Sequence, residues 1–503
     1  MLRKIRIGLA TLFFVGITLM FMDITGVLHG FLGWMAKIQF LPAVLAANFL
    51  VIIGLALLTL VFGRIYCSVI CPLGVLQDIF SSASGRHKGK KMRFSYKKEH
   101  TVLRYVFFGV FVLALIFGIH AIVALLAPYS AYGRIAQTLF QPLWIAGNNL
   151  LAALSERLDS YAFYSREVWL RGLPTLIVAA ITLILVFVLA WKGGRTYCNS
   201  VCPVGTTLSF LSRFSMFRPV IDTEKCRDCH VCEKKCKSSC IDIANHKIDY
   251  SRCVDCFDCL DNCRFGALKY RFAWGRKASR KAEESAEAPA MEHSANSRRK
   301  FLSGAGALAL GTVAAKAQMK MDGGYASILE RKKPERKTPI VPPGAQGLKH
   351  LADRCTACQL CVSECPNDVL RPSTDLSRFM QPESSYERGY CRPECTRCSE
   401  VCPTGAILPI TPEEKTDVRI GHAVPIRENC VVLTDGVSCG NCARHCPVGA
   451  IMMVLSDPED PESLRIPAVN EARCIGCGAC ESVCPSMPYS AIYVEGHEVH
   501  GNV

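Results

Sequence analysis

Cysteine is the residue type through which this sequence can do chemistry. The chain has 503 residues, and 29 of them are cysteine. All but Cys240 fall into short recurrent runs with the spacing of metal ligands, whereas a disulfide scaffold would be a short secreted chain. Cys226-x2-Cys229-x2-Cys232-x3-Cys236 is followed by Cys253-x2-Cys256-x2-Cys259-x3-Cys263. Three closely spaced thiolates can cap three irons of a cubane, and the fourth cysteine of each run reaches the other cube. The spacing therefore predicts one [4Fe–4S] cluster on Cys226, Cys229, Cys232 and Cys263, and another on Cys253, Cys256, Cys259 and Cys236. Cys226-Arg-Asp-Cys229-His230 also matches the c-type haem attachment pattern, but it sits inside a longer cluster run. Cys240 stands where parallel runs carry Ala267, Ala406 and Ala450, so it is expected to be a small buried residue and not a ligand.

Between Gly344 and Ile492 four more runs follow. They are Cys355-x2-Cys358-x2-Cys361-x3-Cys365-Pro, Cys391-x3-Cys395-x2-Cys398-x3-Cys402-Pro, Cys430-x8-Cys439-x2-Cys442-x3-Cys446-Pro and Cys474-x2-Cys477-x2-Cys480-x3-Cys484-Pro. Their thiols suffice for four further cubanes, giving about six in the chain. Spacing leaves the pairing open: adjacent runs could exchange their last cysteines, or the outer two could pair around the inner two. So little polypeptide around so many clusters leaves no room for a conventional core, and this module should not fold without iron.

The remaining four cysteines, the first in the chain, form an internal repeat. Gly63-Arg-Ile-Tyr-Cys67-Ser-Val-Ile-Cys71-Pro-Leu-Gly74 is echoed by Gly194-Arg-Thr-Tyr-Cys198-Asn-Ser-Val-Cys202-Pro-Val-Gly205. Cys67, Cys71, Cys198 and Cys202 could together hold one more cluster or another soft metal. Alternatively, Cys, Pro and Gly shape a turn after each helix and the thiols stay free.

The elements that position these groups can be read from hydropathy and charge. Mean hydropathy is +0.22 and half the residues are hydrophobic, which excludes a purely soluble enzyme with a single core. Four apolar runs, near Ile7–Leu28, Leu41–Phe62, Val102–Leu126 and Leu173–Trp191, are long enough to cross about 30 Å of hydrocarbon. Arg3, Lys4 and Arg6 precede the first, and the loop after the second carries Arg64, Arg86, Lys88, Lys90, Lys91, Arg93, Lys97 and Lys98. The positive-inside rule then puts the N-terminus, the 63–101 loop and the segment after Trp191 in the cytoplasm of a bacterial inner membrane protein. The net charge of +15 does not point to nucleic acid, because cytoplasmic loops collect Lys and Arg. Six [4Fe–4S] centres, each carrying about two negative charges on its four thiolates, would also cancel much of it.

The expected fold is an α-helical membrane domain of four spans over residues 1–215, with two α+β bacterial-ferredoxin-like modules at 216–275 and 340–503. Residues 276–296 read as a charged, solvated linker. Ser297-Arg298-Arg299-Lys-Phe301-Leu302 and the weakly apolar stretch to Ala317 look like a twin-arginine export signal over 297–317. That would make the chain a fusion, with its second module on the periplasmic side.

Residues 1 to about 275 resemble the NapH family of membrane ferredoxins, and residues from about 297 to 503 resemble the NapG/MauM family of exported four-cluster ferredoxins. The resemblance implies a quinol dehydrogenase module of anaerobic respiration that exchanges electrons between the menaquinol pool and a reductase, a dehydrogenase subunit or a cytochrome c. The chain departs from the pattern in having Lys237 and Arg264 where proline would follow Cys236 and Cys263. No nucleophile–base pair, phosphate loop or nucleotide fingerprint is present, so no self-contained catalytic site is expected. Asp23, His29 and His120 lie toward the outer face and are candidates for a quinone site, since ionisable groups at membrane depth are functional by default. They could also simply cap helix ends or pair with backbone carbonyls. A second reading is a redox-regulatory or metal-cofactor maturation factor, as related Cys-x3-Cys-Pro ferredoxins suggest.

Overall fold

The structure, a computed structural model, describes residues 1–23, 26–87, 94–160, 162–273 and 331–503. The linker at 276–296 and the twin-arginine segment at 297–317 lie outside the described residues.

Residues 1–215 form a layer of helices. Two of them, Leu2–Met22 and Leu173–Gly193, are long and apolar enough to cross a membrane. The other two expected spans are each divided. The second breaks into Phe40–Leu45 and Phe49–Phe62, where Asn48 accepts a hydrogen bond from the Val51 amide and restarts the helix. The third breaks into Thr101–Ile116 and His120–Leu126 at Gly118, whose φ of +69° ends the first piece. The first ends at Met22, because the Asp23 carboxylate turns back to accept from the amides of Gly26 and Leu28, both at 2.8 Å. Pro128–Ile135, with every residue buried, folds back into the layer.

Residues 216–273 form a small α+β unit. Phe217–Ile221 pairs antiparallel with Leu268–Phe272, and Ile241–Asp242 pairs with Lys247–Ile248. Residues 331–503 build a larger unit on three antiparallel pairs: Leu370–Pro372 with Pro382–Ser384, Val418–Pro425 with Ile492–Asn502, and Ile451–Leu455 with Arg465–Val469.

The two units sit at opposite ends of the same helices. Arg3, at the start of Leu2–Met22, pairs with Asp258 of the smaller unit at 2.6 Å. Beyond the other end of that helix, Gly26 lies against the guanidinium of Arg397 in the larger unit. Before Leu173–Gly193, Arg171 pairs with Asp368 at 3.0 Å, while just after it the Arg195 amide donates to the Lys237 carbonyl at 2.9 Å. At about 1.5 Å per residue, each of these helices holds the units about 30 Å apart.

Candidate cluster sites and the paired cysteine motif

In the smaller unit Cys226, Cys229, Cys232 and Cys263 line one cavity, and Cys236, Cys253, Cys256 and Cys259 line another. These are the two groupings expected from spacing. Cys240 opens onto the second cavity too, with its sulfur 3.5 Å from that of Cys236.

In the larger unit adjacent runs exchange their last cysteines. Cys355, Cys358 and Cys361 share a cavity with Cys402, and Cys474, Cys477 and Cys480 share one with Cys446. Cys398 lies in the field of Cys391, Cys365 and Cys395, and Cys442 in that of Cys439 and Cys484. The pairing left open by spacing is thus the adjacent one, and Cys391 belongs to its quartet despite the widened gap.

The backbone is shaped for an anionic guest. In the four regular runs the residues two and four positions after the first cysteine all have positive φ: Asp228 and His230, Asp255 and Phe257, Ala357 and Gln359, Gly476 and Gly478. For residues other than glycine this costs about 1–2 kcal/mol each, and it turns successive amides into a concave nest of the kind that receives Fe–S centres. Among the described residues no three cysteine thiols lie within 4.8 Å of one another; the only group that tight is Cys226 with Asp228 and His246. A single tetrahedral zinc, with Zn–S bonds of about 2.3 Å, needs its thiolates roughly 3.8 Å apart. The quartets are too open for one ion and fit a polynuclear cluster. Burial pushes the thiols up, Cys232 to about 12 and Cys442 to about 11, so a bound cation is what would make them thiolates.

Cys67, Cys71, Cys198 and Cys202 are all buried and are related by a pseudo-twofold arrangement. The guanidinium of Arg195 donates to the Cys67 carbonyl at 2.7 Å, and that of Arg64 donates to the Cys198 carbonyl at 3.2 Å. Each arginine also approaches the sulfur of its own motif at 3.8 Å. A Cβ on Gly74 would strike the Cys67 carbonyl and Arg195, and one on Gly205 the Cys198 carbonyl and Arg64, so glycine is required at both. Asp78 receives Arg195 at 2.9 and 2.8 Å, is paired with Arg6, and has Lys237 at 3.7 Å. Burial pushes the Asp78 carboxyl up, but Arg195, Lys237 and Arg6 outweigh it and hold it well below the usual carboxylate range.

The quartets follow one another in a definite order. Cys259 lies in the field of Cys232, linking the two sites of the smaller unit. The inner of these meets the helix layer, where the Asp255 carboxylate lies against Gly63. The paired motif comes next, with Tyr197 beside it and Arg134 in the field of both Tyr197 and Cys358. The Cys358 carbonyl packs on Gly133. Beyond it, Cys361 neighbours Cys398, the Cys391 amide donates to the Cys477 carbonyl at 3.0 Å, and Cys480 neighbours Cys442.

The three expected quinone-site residues are all on the larger unit's side; Asp23 and His29 are neighbours, and His120 stands apart. His120 faces Asp353 at 3.9 Å, and His29 lies by Glu400. Asp23 alone lines a cavity of about 320 Å³ between the helix layer and the larger unit. Sequence reasoning missed Glu364, which also lines this cavity. Burial, reinforced by Asp23, pushes its carboxyl up to about 8.

Comparison with known proteins agrees with this chemistry. A 4Fe-4S binding domain model (Fer4_5) matches residues 44–91 and 174–220, which contain the two Cys-x3-Cys-Pro motifs. Two 4Fe-4S dicluster domain models match residues 249–369 (Fer4_8) and 435–487 (Fer4_7). The methylamine utilization ferredoxin-type protein MauM of Methylobacillus flagellatus is 32% identical over 168 residues, covering 32% of this chain and 70% of MauM. The ferredoxin-type protein NapF of Escherichia coli K12 is 27% identical over 180 residues, 36% of this chain and all of NapF. An uncharacterized protein of Methanocaldococcus jannaschii is 27% identical over 271 residues, 54% of this chain and 86% of that protein. No solved structure matches the chain. With its quartets in ferredoxin-like order and this similarity to MauM, the chain belongs to the family of ferredoxin-type 4Fe-4S electron-transfer proteins.

Proposed function

We propose that the chain is a membrane-spanning electron conduit that oxidises quinol and passes the electrons to a partner redox protein, a reductase, a dehydrogenase subunit or a cytochrome c. Residues 1–215 would be a NapH-type domain of four spans, two of them continuous and two divided at Asn48 and Gly118. Residues 216–275 would be a two-cluster module on the cytoplasmic side, and residues 340–503 a four-cluster module on the periplasmic side. The observation that carries this reading is the succession of neighbouring quartets, from Cys229 through the paired motif to Cys442. A regulatory or maturation factor has no evident use for so long a series.

Each bound [4Fe–4S] cluster would supply a one-electron relay. The chain's own residues do the rest. Twenty-four thiolates hold six clusters, and Cys67, Cys71, Cys198 and Cys202 would hold one more, its negative charge offset by Arg64 and Arg195 at their sulfurs. That centre would join the two sides. Oxidation of one quinol releases two electrons, which leave singly, and two protons, which pass to solvent.

The test is anaerobic EPR of the iron-reconstituted full chain before and after addition of a menaquinol analogue. Cluster signals that appear at a rate competitive with turnover support the reading. Signals that appear only with a low-potential reductant would sink quinol oxidation.

A further inference from the structure

We propose that the cavity between the helix layer and the larger unit is the quinol site, with Glu364 accepting a hydrogen bond from a ring hydroxyl of a lipid-borne hydroquinone. The proposal rests on the quinol-oxidising reading above and gives it a location and an acceptor.

The cavity has a volume of about 320 Å³, within the range of small-molecule sites. Glu364 is 3% exposed, and neither of its carboxyl oxygens has a hydrogen-bond partner. Burying such a group unpaired costs several kcal/mol, and native structures seldom leave one so, which makes an absent donor the natural explanation. Arginines and carboxylates line it in equal number: Arg388 pairs with Glu167 at 2.7 Å and Arg171 with Asp368 at 3.0 Å, while Arg166 and Arg397 share the wall with Asp23 and Glu364. An anion would face the Glu364 and Asp23 carboxyls. A neutral ligand with a hydroxyl matches what the site lacks.

The walls suit a flat ring. The indole of Trp169 is held by Arg371 and Arg388, whose guanidiniums lie 4.4 and 4.6 Å from its centroid. Pro142, Ile145 and Leu170 add apolar surface. Access from lipid follows from the helix Gln141–Glu156, which contributes Ile145 to the wall while Leu143 and Leu150 on it are more than 70% exposed. Cys365 is itself part of the lining, so a ring bound here lies against one of the quartets.

The test uses the full chain in anaerobic liposomes with a dithionite-reduced azido-naphthohydroquinone as photoaffinity probe, mapped by mass spectrometry. The expected label falls on the peptides around Trp169 and Ser363–Pro366 and is displaced by unlabelled menaquinol analogue. Glu364→Leu should raise the half-saturating probe concentration up to about tenfold, the effect of losing one hydrogen bond. Ile145→Trp, which fills the cavity and leaves Glu364 in place, should abolish labelling, with iron content and EPR line shape unchanged in both variants. Labelling elsewhere in a protein whose clusters quinol still reduces would overturn the location and leave the proposed function standing. Labelling in the cavity with no reduction by quinol would support the site and overturn quinol oxidation.

Discussion

Arg195 donates a hydrogen bond to the backbone carbonyl of Cys67 at 2.7 Å, although the two belong to different copies of the repeated motif. Each copy therefore completes the other, since Arg64 reaches the Cys198 carbonyl in the same way. The ion pair that fixes Arg195 is fully enclosed: Arg195 has no exposed surface and Asp78 very little. Asp78→Ala leaves Arg6 and Arg195 without their buried carboxylate, a loss of about 3–5 kcal/mol. Thermal unfolding of the detergent-solubilised chain should register this as a fall of the melting temperature or as loss of folded protein. A variant that melts like the parent would mean that water or lipid headgroups already neutralise the pair.

Gly74→Ala and Gly205→Ala put a methyl group where a carbonyl and a guanidinium already are. Overpacking of this kind costs about 1–3 kcal/mol, and here the backbone of the cysteines must also shift. The expected outcome is fewer irons per chain in both variants. Gly109→Ala, in a helix position with open space around it, should keep the full iron content.

Removing iron should affect the two parts of the chain differently. Cysteine pairs and small residues form much of the larger unit's interior, where Cys474, Cys480 and Cys484 pack with Val494 and Ile492. Apart from the pair Val418–Pro425 and Ile492–Asn502 its strands are only 3–5 residues long, so its remaining tertiary contacts depend on the quartets. After anaerobic iron chelation, limited proteolysis should cut within residues 331–503 and spare the Leu173–Gly193 helix. Equal resistance before and after chelation would show that the polypeptide packs without its clusters.

His500 gives a pH dependence. Burial, with His497 nearby, pushes its imidazole down to about 4, and neither ring nitrogen has a hydrogen-bond partner. His497 in turn faces His422, Arg419 and Glu471. The unfolded chain takes up a proton near pH 6.5 that the folded chain refuses until near pH 4. Stability is therefore full above about pH 6.5 and falls as the pH drops toward 4, by at most about 3 kcal/mol. Melting temperatures between pH 7 and 5 should fall in the parent and stay flatter in His500→Gln.

Sidedness can be checked directly. Protease added to spheroplasts expressing the chain should remove residues 340–503 and leave 216–275 intact. Cleavage of neither, with cleavage of both after lysis, would place the two modules on one side.

The cluster groupings of the smaller unit were legible because Cys-x2-Cys-x2-Cys-x3-Cys leaves its fourth thiol only one distant partner. In the larger unit the pairing was not legible because four runs allow either adjacent or outer-with-outer exchange, and only the three-dimensional fold brings Cys402 to Cys358 and Cys446 to Cys477. Hydropathy located the apolar runs and missed their breaks, since a window average cannot register the Asn48 cap or the left-handed Gly118. The positive φ values around the clusters were visible in sequence only at Gly476 and Gly478; at Phe257 or Gln359 the residue type gives no hint. Glu364 was missed because it sits inside a cysteine run, where it reads as a spacer. Its burial arises only when the larger unit docks on Gln141, whose side chain reaches the Ser363 carbonyl at 3.4 Å.

Leu2–Met22 is fastened at both ends, by Arg3 on Asp258 and by the Asp23 turn whose Gly26 rests on Arg397. A rod pinned in this way is a strut. The separation of the two modules is then set by the number of residues in that helix. Adding or removing one helical turn would shift the centres at its two ends relative to each other all at once.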